Sequence, residues 1–169
     1  CAIVLPEGVI GAISVKKTLN DNDVEKECRS LRNIAALCKS KSNSGPLRGP
    51  FLALVAMASN IHKENSDTFD WITDKIKSVY TDENVMSLKF DEIVGLITAL
   101  NEWSIFKKKP TKDPKEAKYI LMKHGGNENH LGFQFILTGL LSVYYDSSRS
   151  FNRRPGFTAF PSQRKEDRV

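Results

Sequence analysis

The sequence predicts an all-α fold: a single globular bundle of about six helices, with an extended N-terminal arm and an extended basic C-terminal tail. Three observations indicate this fold. Apolar residues recur at spacings of three and four along several segments. Helix-capping residues precede those segments, and proline and glycine concentrate between them. The expected boundaries are 1–19 for the arm, 20–145 for the helical domain and 146–169 for the tail.

Length and composition suit one folded domain. The chain has 169 residues, of which 40% are apolar and 27% are charged, and this balance excludes an intrinsically disordered protein. The formal net charge of +5 favours polyanionic partners, although a merely solvated basic surface gives the same charge. No apolar run reaches the roughly 18 residues that a membrane-spanning helix requires.

The N-terminal arm is apolar and β-branched. Residues 2–5 and 9–15 are short extended segments on either side of Pro6-Glu7-Gly8. This pattern predicts either a short β-hairpin or an irregular arm that packs on the helices. An arm of this kind also suits contact with a neighbouring subunit.

The first helix has the clearest pattern. Asn22 and Glu25 have the spacing of a capping box. Two cysteines, Cys28 and Cys38, lie roughly 15 Å apart along its axis, too far for a disulfide bond. They are therefore expected to be buried thiols in a reducing compartment. The predicted apolar stripe consists of Val24, Cys28, Leu31, Ala35 and Cys38.

Five further helices complete the predicted bundle. Residues 51–58 are apolar on every side and predict a central, buried helix. Four more helices are expected to begin near residues 66, 87, 113 and 128, and the last to end near residue 145. Phe133 and Leu137 of the last helix are expected to face inward.

Basic residues concentrate in the segment 107–123 and in the tail. Cations in such groups neutralise phosphates, and interleaved aromatic rings stack on bases. Solvated helix faces are the alternative explanation. The predicted nucleic-acid contacts are Lys107, Lys108, Lys109, Lys112, Lys115, Lys118, Arg149, Arg153 and Arg154. The predicted oligomer contacts, which dock into a neighbouring subunit, are Phe151, Phe157 and Phe160.

No motif of an enzyme or a metal site is recognised. Glycine-rich phosphate loops, the Gly-x-Ser-x-Gly elbow and the paired spacings of zinc ligands do not occur. The three histidines, His62, His124 and His130, are isolated along the chain. The sequence therefore predicts a protein without catalytic residues, metal or cofactor.

These features together predict a non-enzymatic, self-assembling structural protein that binds RNA through its basic patches. A compact helical body with two extended ends and a basic face resembles the nucleocapsid and matrix proteins of RNA viruses, as an analogy of fold and charge. The alternative is a matrix or adaptor protein whose basic face meets an anionic membrane or a protein partner. The expected partners are single-stranded RNA and further copies of the chain. The expected location is the cytoplasm or a virion.

Overall fold

The computed structural model shows an α/β sandwich, so the prediction of a helical bundle is wrong. The structure describes residues 8–38, 41–42, 45–46, 48–61, 68–80, 92–108, 118–125, 130–146 and 149. Within them, the first elements are β1 (Gly11–Leu19), α1 (Asp21–Leu37), β2 (Lys41–Ser42), β3 (Gly45–Pro46) and β4 (Phe51–Ser59). The later elements are α2 (Thr68–Tyr80), β5 (Leu96–Ala99), β6 (Trp103–Lys108), β7 (Lys118–Lys123) and α3 (Leu131–Tyr144).

Five of the strands form one mixed sheet in the order β1-β4-β5-β6-β7. Strands β1, β4 and β5 are parallel, with Lys16 opposite Ala56 in the register of β1 and β4. Strands β6 and β7 continue the sheet in antiparallel fashion. The short strands β2 and β3 pair only with each other.

Helices cover both faces of this sheet. Helices α1 and α2 pack on one face, which we call the α1 face, and α3 packs on the other, which we call the α3 face. Alternate residues of the strands therefore enter two different cores. The α1 face contains Leu52, Leu54, Ala56, Ile97 and Ile105. The α3 face contains Ala53, Val55, Leu96 and Leu100, with Phe106 and Phe135 against them.

The predicted central helix at residues 51–58 is strand β4. Residues 52–56 of this strand are all buried, because both of its faces are covered. The sequence of a parallel strand that is buried on both faces is a continuous apolar run. The same run also suits a buried helix, and periodicity alone does not separate the two.

Two other predicted helices are also wrong within the described residues. The later part of the helix expected from residue 87 is instead strand β5 (Leu96–Ala99). Trp103 is the first residue of β6. The helix expected from residue 113 is replaced at 118–123 by β7. These strands are held by pairing with one another, for example Ile97 opposite Ile105 and Ile105 opposite Leu121.

The N-terminal arm is likewise corrected. Residues 11–19 form β1, which pairs with β4 in parallel and is an integral part of the sheet. Residues 2–5, the other half of the expected hairpin, lie outside the described residues, as does the tail from residue 150.

Three helix predictions are confirmed, in α1, α2 and α3. The α1 stripe is buried as predicted, although the helix begins after Asn20 rather than at Asn22. In α3 the expected inward positions Phe133 and Leu137 are 60% and 57% exposed, because the sheet lies on the other side of the helix. No helix among the described residues is long and apolar enough to span a membrane.

Candidate functional site

A polar cluster lies where β1, at one end of the sheet, meets α1. It consists of Ser14, Lys16, Asp23 and Glu27, and we call it the Lys16 cluster. It unites a hydroxyl, an ammonium and two carboxylates from two adjacent elements. These are groups that can bind and polarise a charged substrate.

The local structure explains why these side chains meet. Side chains alternate along a strand, so Ser14 and Lys16 both point toward the α1 face, where Ala12 joins the core. Asp23 and Glu27 are four residues apart on α1 and therefore lie on one side of the helix. The parallel connection from β1 through α1 lays that side of the helix beside the strand.

Glu27 is the centre of the bonding in this cluster. Its Oε1 lies 2.7 Å from Lys16 Nζ, and its Oε2 accepts a hydrogen bond of 2.7 Å from Ser14 Oγ. Lys16 Nζ also lies 3.8 Å from Asp23 Oδ1. The side chains of Lys16 and Glu27 are 28% and 13% exposed, so the cluster is reached from solvent at the sheet edge.

The bonds favour the charged form of each group. The hydrogen bond from Lys16, and after it the bond from Ser14, lowers the pKa of Glu27 below its ordinary value of 4.5. The bond to Glu27 raises the pKa of Lys16 above 10.5. Both groups are therefore ionised at neutral pH.

Asp23 also closes the start of α1. The backbone N–H of Asn20 donates to Asp23 Oδ2 at 2.9 Å, which is one half of a capping box. This bond is the main reason that the pKa of Asp23 falls below 3.8. A carboxylate near a helix N-terminus is also favoured by the helix dipole.

The cluster lies toward the carboxyl ends of the parallel strands. Lys16 is in the second half of β1, and Asn20 and Asn60 follow β1 and β4 directly. The amide of Asn60 donates to Asn20 Oδ1 at 3.4 Å, which links the two strand ends. In open α/β sheets the carboxyl edge is the usual place for a ligand.

The carboxylates of the cluster could hold a hard divalent cation only if a bound substrate supplied further oxygen ligands. Within the described part of the chain, no group of three or more His, Cys, Asp or Glu side chains is placed to hold a metal. Mg²⁺, however, is commonly bound by one or two carboxylates together with substrate phosphates. Asp23 and Glu27 are two carboxylates of this kind, and both already face Lys16 Nζ.

The predicted lysines that the structure describes fall at the far end of the sheet from this cluster. Lys107 Nζ donates to the carbonyl oxygen of Ile93 at 2.7 Å. Lys108 and Lys118 are exposed and pair opposite each other in β6 and β7, so two like charges lie side by side. Their role as phosphate contacts stays a prediction. Three of the predicted lysines lie outside the described residues: Lys109, Lys112 and Lys115.

Arg149 is buried, with 6% of its surface exposed. Its Nε donates to the carbonyl oxygen of Arg48 at 2.8 Å, and its Nη2 donates to the same atom. The guanidinium thus ties the chain after α3 to the segment before β4. The remaining predicted tail contacts lie outside the described residues: Arg153, Arg154, Phe151, Phe157 and Phe160.

Sequence reasoning missed the Lys16 cluster, because none of its members belongs to a recognised catalytic spacing. A usable signal was present in β1. Ser14 and Lys16 are polar residues at alternate positions, the other residues from 9 to 15 are apolar or glycine, and a helix with carboxylates one turn apart follows. A strand assignment for residues 11–19 would have placed the two polar side chains together.

Comparison with known proteins gives a match of fold and none of sequence. No family model and no curated protein matches the chain. The structure of NucC from P. aeruginosa ATCC27853, in its cAAA-bound form, matches with a TM-score of 0.53 and 9% identity, over 84% of this chain and 54% of that one. The apo structure of NucC from E. coli MS115-1 matches with a TM-score of 0.50 and 12% identity, over 80% and 56%. The chain spans about half the length of these structures.

These matches overturn the function predicted from the sequence. The fold is shared with NucC structures and is not the helical bundle on which the prediction was built. The predictions of a nucleocapsid-like protein, of a matrix or adaptor protein and of a chain without enzyme activity are therefore wrong. The first two depended on an all-α architecture that the sheet replaces, and the third depended on the absence of recognised catalytic motifs. The predicted partners and location stay untested.

Proposed function

We propose that this chain carries the catalytic centre of a nuclease, and that the Lys16 cluster is the site of phosphodiester hydrolysis. One observation carries the proposal: Glu27 bonds both Ser14 and Lys16 at 2.7 Å, at the carboxyl edge of a sheet with a nuclease-like fold. The cluster brings two carboxylates and an ammonium together beside one strand.

The chemistry of hydrolysis suits these groups. A water oxygen adds to phosphorus, one P–O bond breaks, and the departing oxygen takes up a proton. Negative charge grows on the phosphoryl oxygens during this step, and a fixed cation beside them lowers the barrier. Lys16 supplies that cation, and its raised pKa keeps it protonated at neutral pH.

The carboxylates have a complementary part. A divalent cation held by Asp23, Glu27 and a substrate phosphate would supply Lewis-acid stabilisation. Glu27 also accepts from Lys16 and so orients its ammonium. Ser14 donates to the second oxygen of Glu27, which fixes the plane of that carboxylate against β1.

We propose DNA as the substrate. The NucC structure from P. aeruginosa is a cAAA-bound form, so a protein with a similar fold binds an oligonucleotide, and the proposal extends this to a DNA polymer. The cluster lies at the end strand of the sheet, where a long polymer has access. Contacts to a phosphate backbone are independent of sequence, so cleavage with little sequence preference is expected.

The experiment compares Lys16→Met with Lys17→Met. Lys17 is the next residue on β1, is exposed and points to the opposite face, so the two variants lose the same charge in different places. Cleavage of plasmid DNA and of single-stranded RNA is measured with Mg²⁺ and with Mn²⁺. Lys16→Met is expected to lower the rate by about 10²–10³, and Lys17→Met by less than about tenfold.

Two results would overturn the proposal. One is a wild-type chain that cleaves neither DNA nor RNA with either metal. The other is a Lys16→Met variant that cleaves at the wild-type rate. Preferential cleavage of RNA would support the proposed site but would show that the proposed substrate is wrong. Thermal unfolding of both variants shows whether a loss of activity reflects a loss of fold.

A further inference from the structure

A cavity lies on the α1 face of the sheet, between the first turns of α2, the start of β6 and the end of β7. Its volume is about 180 Å³, and we call it the Trp103 cavity. The lining residues that matter below are Phe69 of α2, Glu102 in the turn between β5 and β6, Trp103 of β6 and Lys123 of β7. No step of the proposed hydrolysis uses this cavity.

Strand pairing places an aromatic ring and a cation side by side in the cavity. Trp103 and Lys123 are directly opposite each other in the antiparallel pair of β6 and β7. Side chains alternate along a strand, so Trp103 is on the same face as Ile105. Lys123 is on the same face as Leu121 for the same reason. Ile105 and Leu121 both belong to the core of the α1 face, so the indole ring and the ammonium lie on that face as well.

The two aromatic rings of the cavity are held by different elements. Phe69 comes from α2 and Trp103 from β6, and both pack partly against the core of the α1 face. Trp103 is half-buried, while Lys123 is exposed, so the cavity opens to solvent beside the ammonium. A ligand therefore meets flat apolar surface inside the cavity and positive charge at its mouth.

Polar groups of the cavity keep unused bonding capacity. The backbone N–H of Ser59 donates to Glu102 Oε1 at 2.9 Å, which fixes the carboxylate and leaves its other oxygen able to accept. Within the described part of the chain, neither the Lys123 ammonium nor the indole N–H of Trp103 has a bonding partner. One acceptor and two donors are thus available to a ligand.

The Trp103 cavity and the Lys16 cluster share one face and one edge of the sheet. Strands β4 and β5 lie between β1 and β6, so the two sites are three strand spacings apart, or roughly 14 Å. Hydrogen bonds link the strand ends along this edge, from Asn60 to Asn20 at 3.4 Å and from Ser59 to Glu102 at 2.9 Å. A DNA strand that runs along the edge passes both sites within a few nucleotides.

We propose that the Trp103 cavity binds an unpaired pyrimidine base of the DNA that is cleaved at the Lys16 cluster. A cavity of roughly 150 Å³ holds benzene, so a volume of about 180 Å³ suits one six-membered ring. Aromatic side chains beside a cation are a common means of binding unpaired bases, because the ring stacks on the base and the cation meets phosphate. The inference rests on the proposed function, from which it takes DNA as the ligand.

Hydrogen bonds complete the fit to a pyrimidine. A ring carbonyl oxygen of the base accepts from Lys123, and the N3–H of thymine or the amino group of cytosine donates to the free oxygen of Glu102. A base paired in a duplex has these groups occupied and its faces stacked. The cavity therefore favours single-stranded DNA over duplex DNA.

The first test uses the fluorescence of Trp103. The chain has two tryptophans, Trp71 and Trp103, so a Trp71→Phe variant reports on the cavity alone. A short oligothymidylate is added in EDTA, which prevents metal-dependent cleavage, either as a single strand or annealed to its complement. The single strand is expected to quench the emission, and the duplex to require about tenfold more DNA for the same effect, because stacking of one base contributes a factor of this size.

The second test compares variants by the anisotropy of a labelled single strand in EDTA. Trp103→Leu is expected to weaken binding about tenfold or more, whereas Trp103→Tyr, which keeps a ring for stacking, should weaken it by less than about threefold. Lys123→Gln is expected to weaken binding about fivefold. Lys17→Gln is the matched control, because it removes the same charge from an exposed position of β1 outside the cavity. Thermal unfolding shows that each variant keeps its fold.

The outcomes separate this inference from the proposed nuclease activity. Quenching by the single strand without cleavage in Mg²⁺ or Mn²⁺ would retain the base site and overturn the proposed function. Cleavage without quenching would overturn the inference alone. The inference also fails if single strand and duplex quench equally, if Trp103→Leu binds the single strand as tightly as the wild type, or if Lys123→Gln and Lys17→Gln weaken binding equally.

Discussion

Lys16 of β1 and Glu27 of α1 form an ion pair of 2.7 Å that joins the first strand to the first helix. The second oxygen of Glu27 is occupied by Ser14, so the carboxylate is held on both sides. This arrangement orients Lys16 before any substrate arrives, and preorganised charge is what stabilises a transition state effectively. The proposed activity therefore depends on the pair as a unit.

Glu27→Gln is expected to reduce DNA cleavage by about 10²–10³ while the fold is kept. The amide can still accept from Ser14, but it loses the charge that pairs with Lys16. Initial rates on plasmid DNA measure the effect. Glu25→Gln is the control, because Glu25 pairs with Arg29 on a more exposed part of α1. Equal activity of the two variants would contradict a catalytic role for Glu27.

Stability is expected to fall in acid partly through the same carboxylates. The pKa of Glu27 lies below 4.5 and that of Asp23 below 3.8 in the folded chain. A carboxyl with a lowered folded pKa stabilises the fold above its unfolded pKa, and this contribution disappears as pH falls through the folded value. The free energy of unfolding should therefore decline below about pH 4.5, with a shallower decline in Glu27→Gln. Urea unfolding at pH 7, 5 and 3 measures both slopes, and identical slopes would contradict the expectation.

Cys28 is expected to resist thiol reagents in the folded chain. Burial raises its pKa to about 12, so almost no thiolate is present at pH 8. A Cys1→Ser, Cys38→Ser variant isolates this thiol for reaction with a disulfide reagent such as Ellman's. The reaction should be slow in buffer and fast in urea. Rapid labelling without denaturant would show that the α1 core opens locally.

Gly139→Ala is expected to destabilise the fold by about 1–3 kcal/mol, because the added methyl group overlaps the ring of Phe51 and forces repacking. Chemical denaturation gives the difference in the free energy of unfolding. Gly8→Ala is the matched control, since nothing among the described residues lies within 4 Å of a Cβ at that position. A neutral Gly139→Ala would mean that α3 shifts away from the sheet at little cost.

Arg149→Gln is expected to lower the free energy of unfolding by about 1.5–3 kcal/mol, through the loss of charged hydrogen bonds to the carbonyl of Arg48. Urea denaturation measures the loss, and DNA affinity is measured on the same variant. Arg29→Gln, at an exposed ion pair of α1, should change stability much less. Weakened DNA binding with unchanged stability would instead favour the phosphate contact predicted for Arg149 from the sequence.

The sequence by itself determined the helices of the described structure. Each of the three helices satisfies its backbone hydrogen bonds within one segment of the chain. Their apolar patterns are the stripe from Val24 to Ala35, the residues around Ile72 and Ile76, and the run that ends near Tyr144. Because the hydrogen bonds of a helix are local, its apolar spacing and its capping residues lie within the same segment. These helices could therefore be predicted without knowledge of the elements that pack against them.

The tertiary structure alone decided the strands and the site. Residues 51–58 form β4 because β1 and β5 lie on either side of it and take up its backbone groups, and those partners are distant in the chain. The same pairing fixes which side chains of β1 face α1, and so brings Lys16 to Glu27. The hydrogen bonds between strands and the contacts of the Lys16 cluster join residues that are close together only in the folded chain. Spacing along the sequence therefore did not reveal either the strands or the cluster.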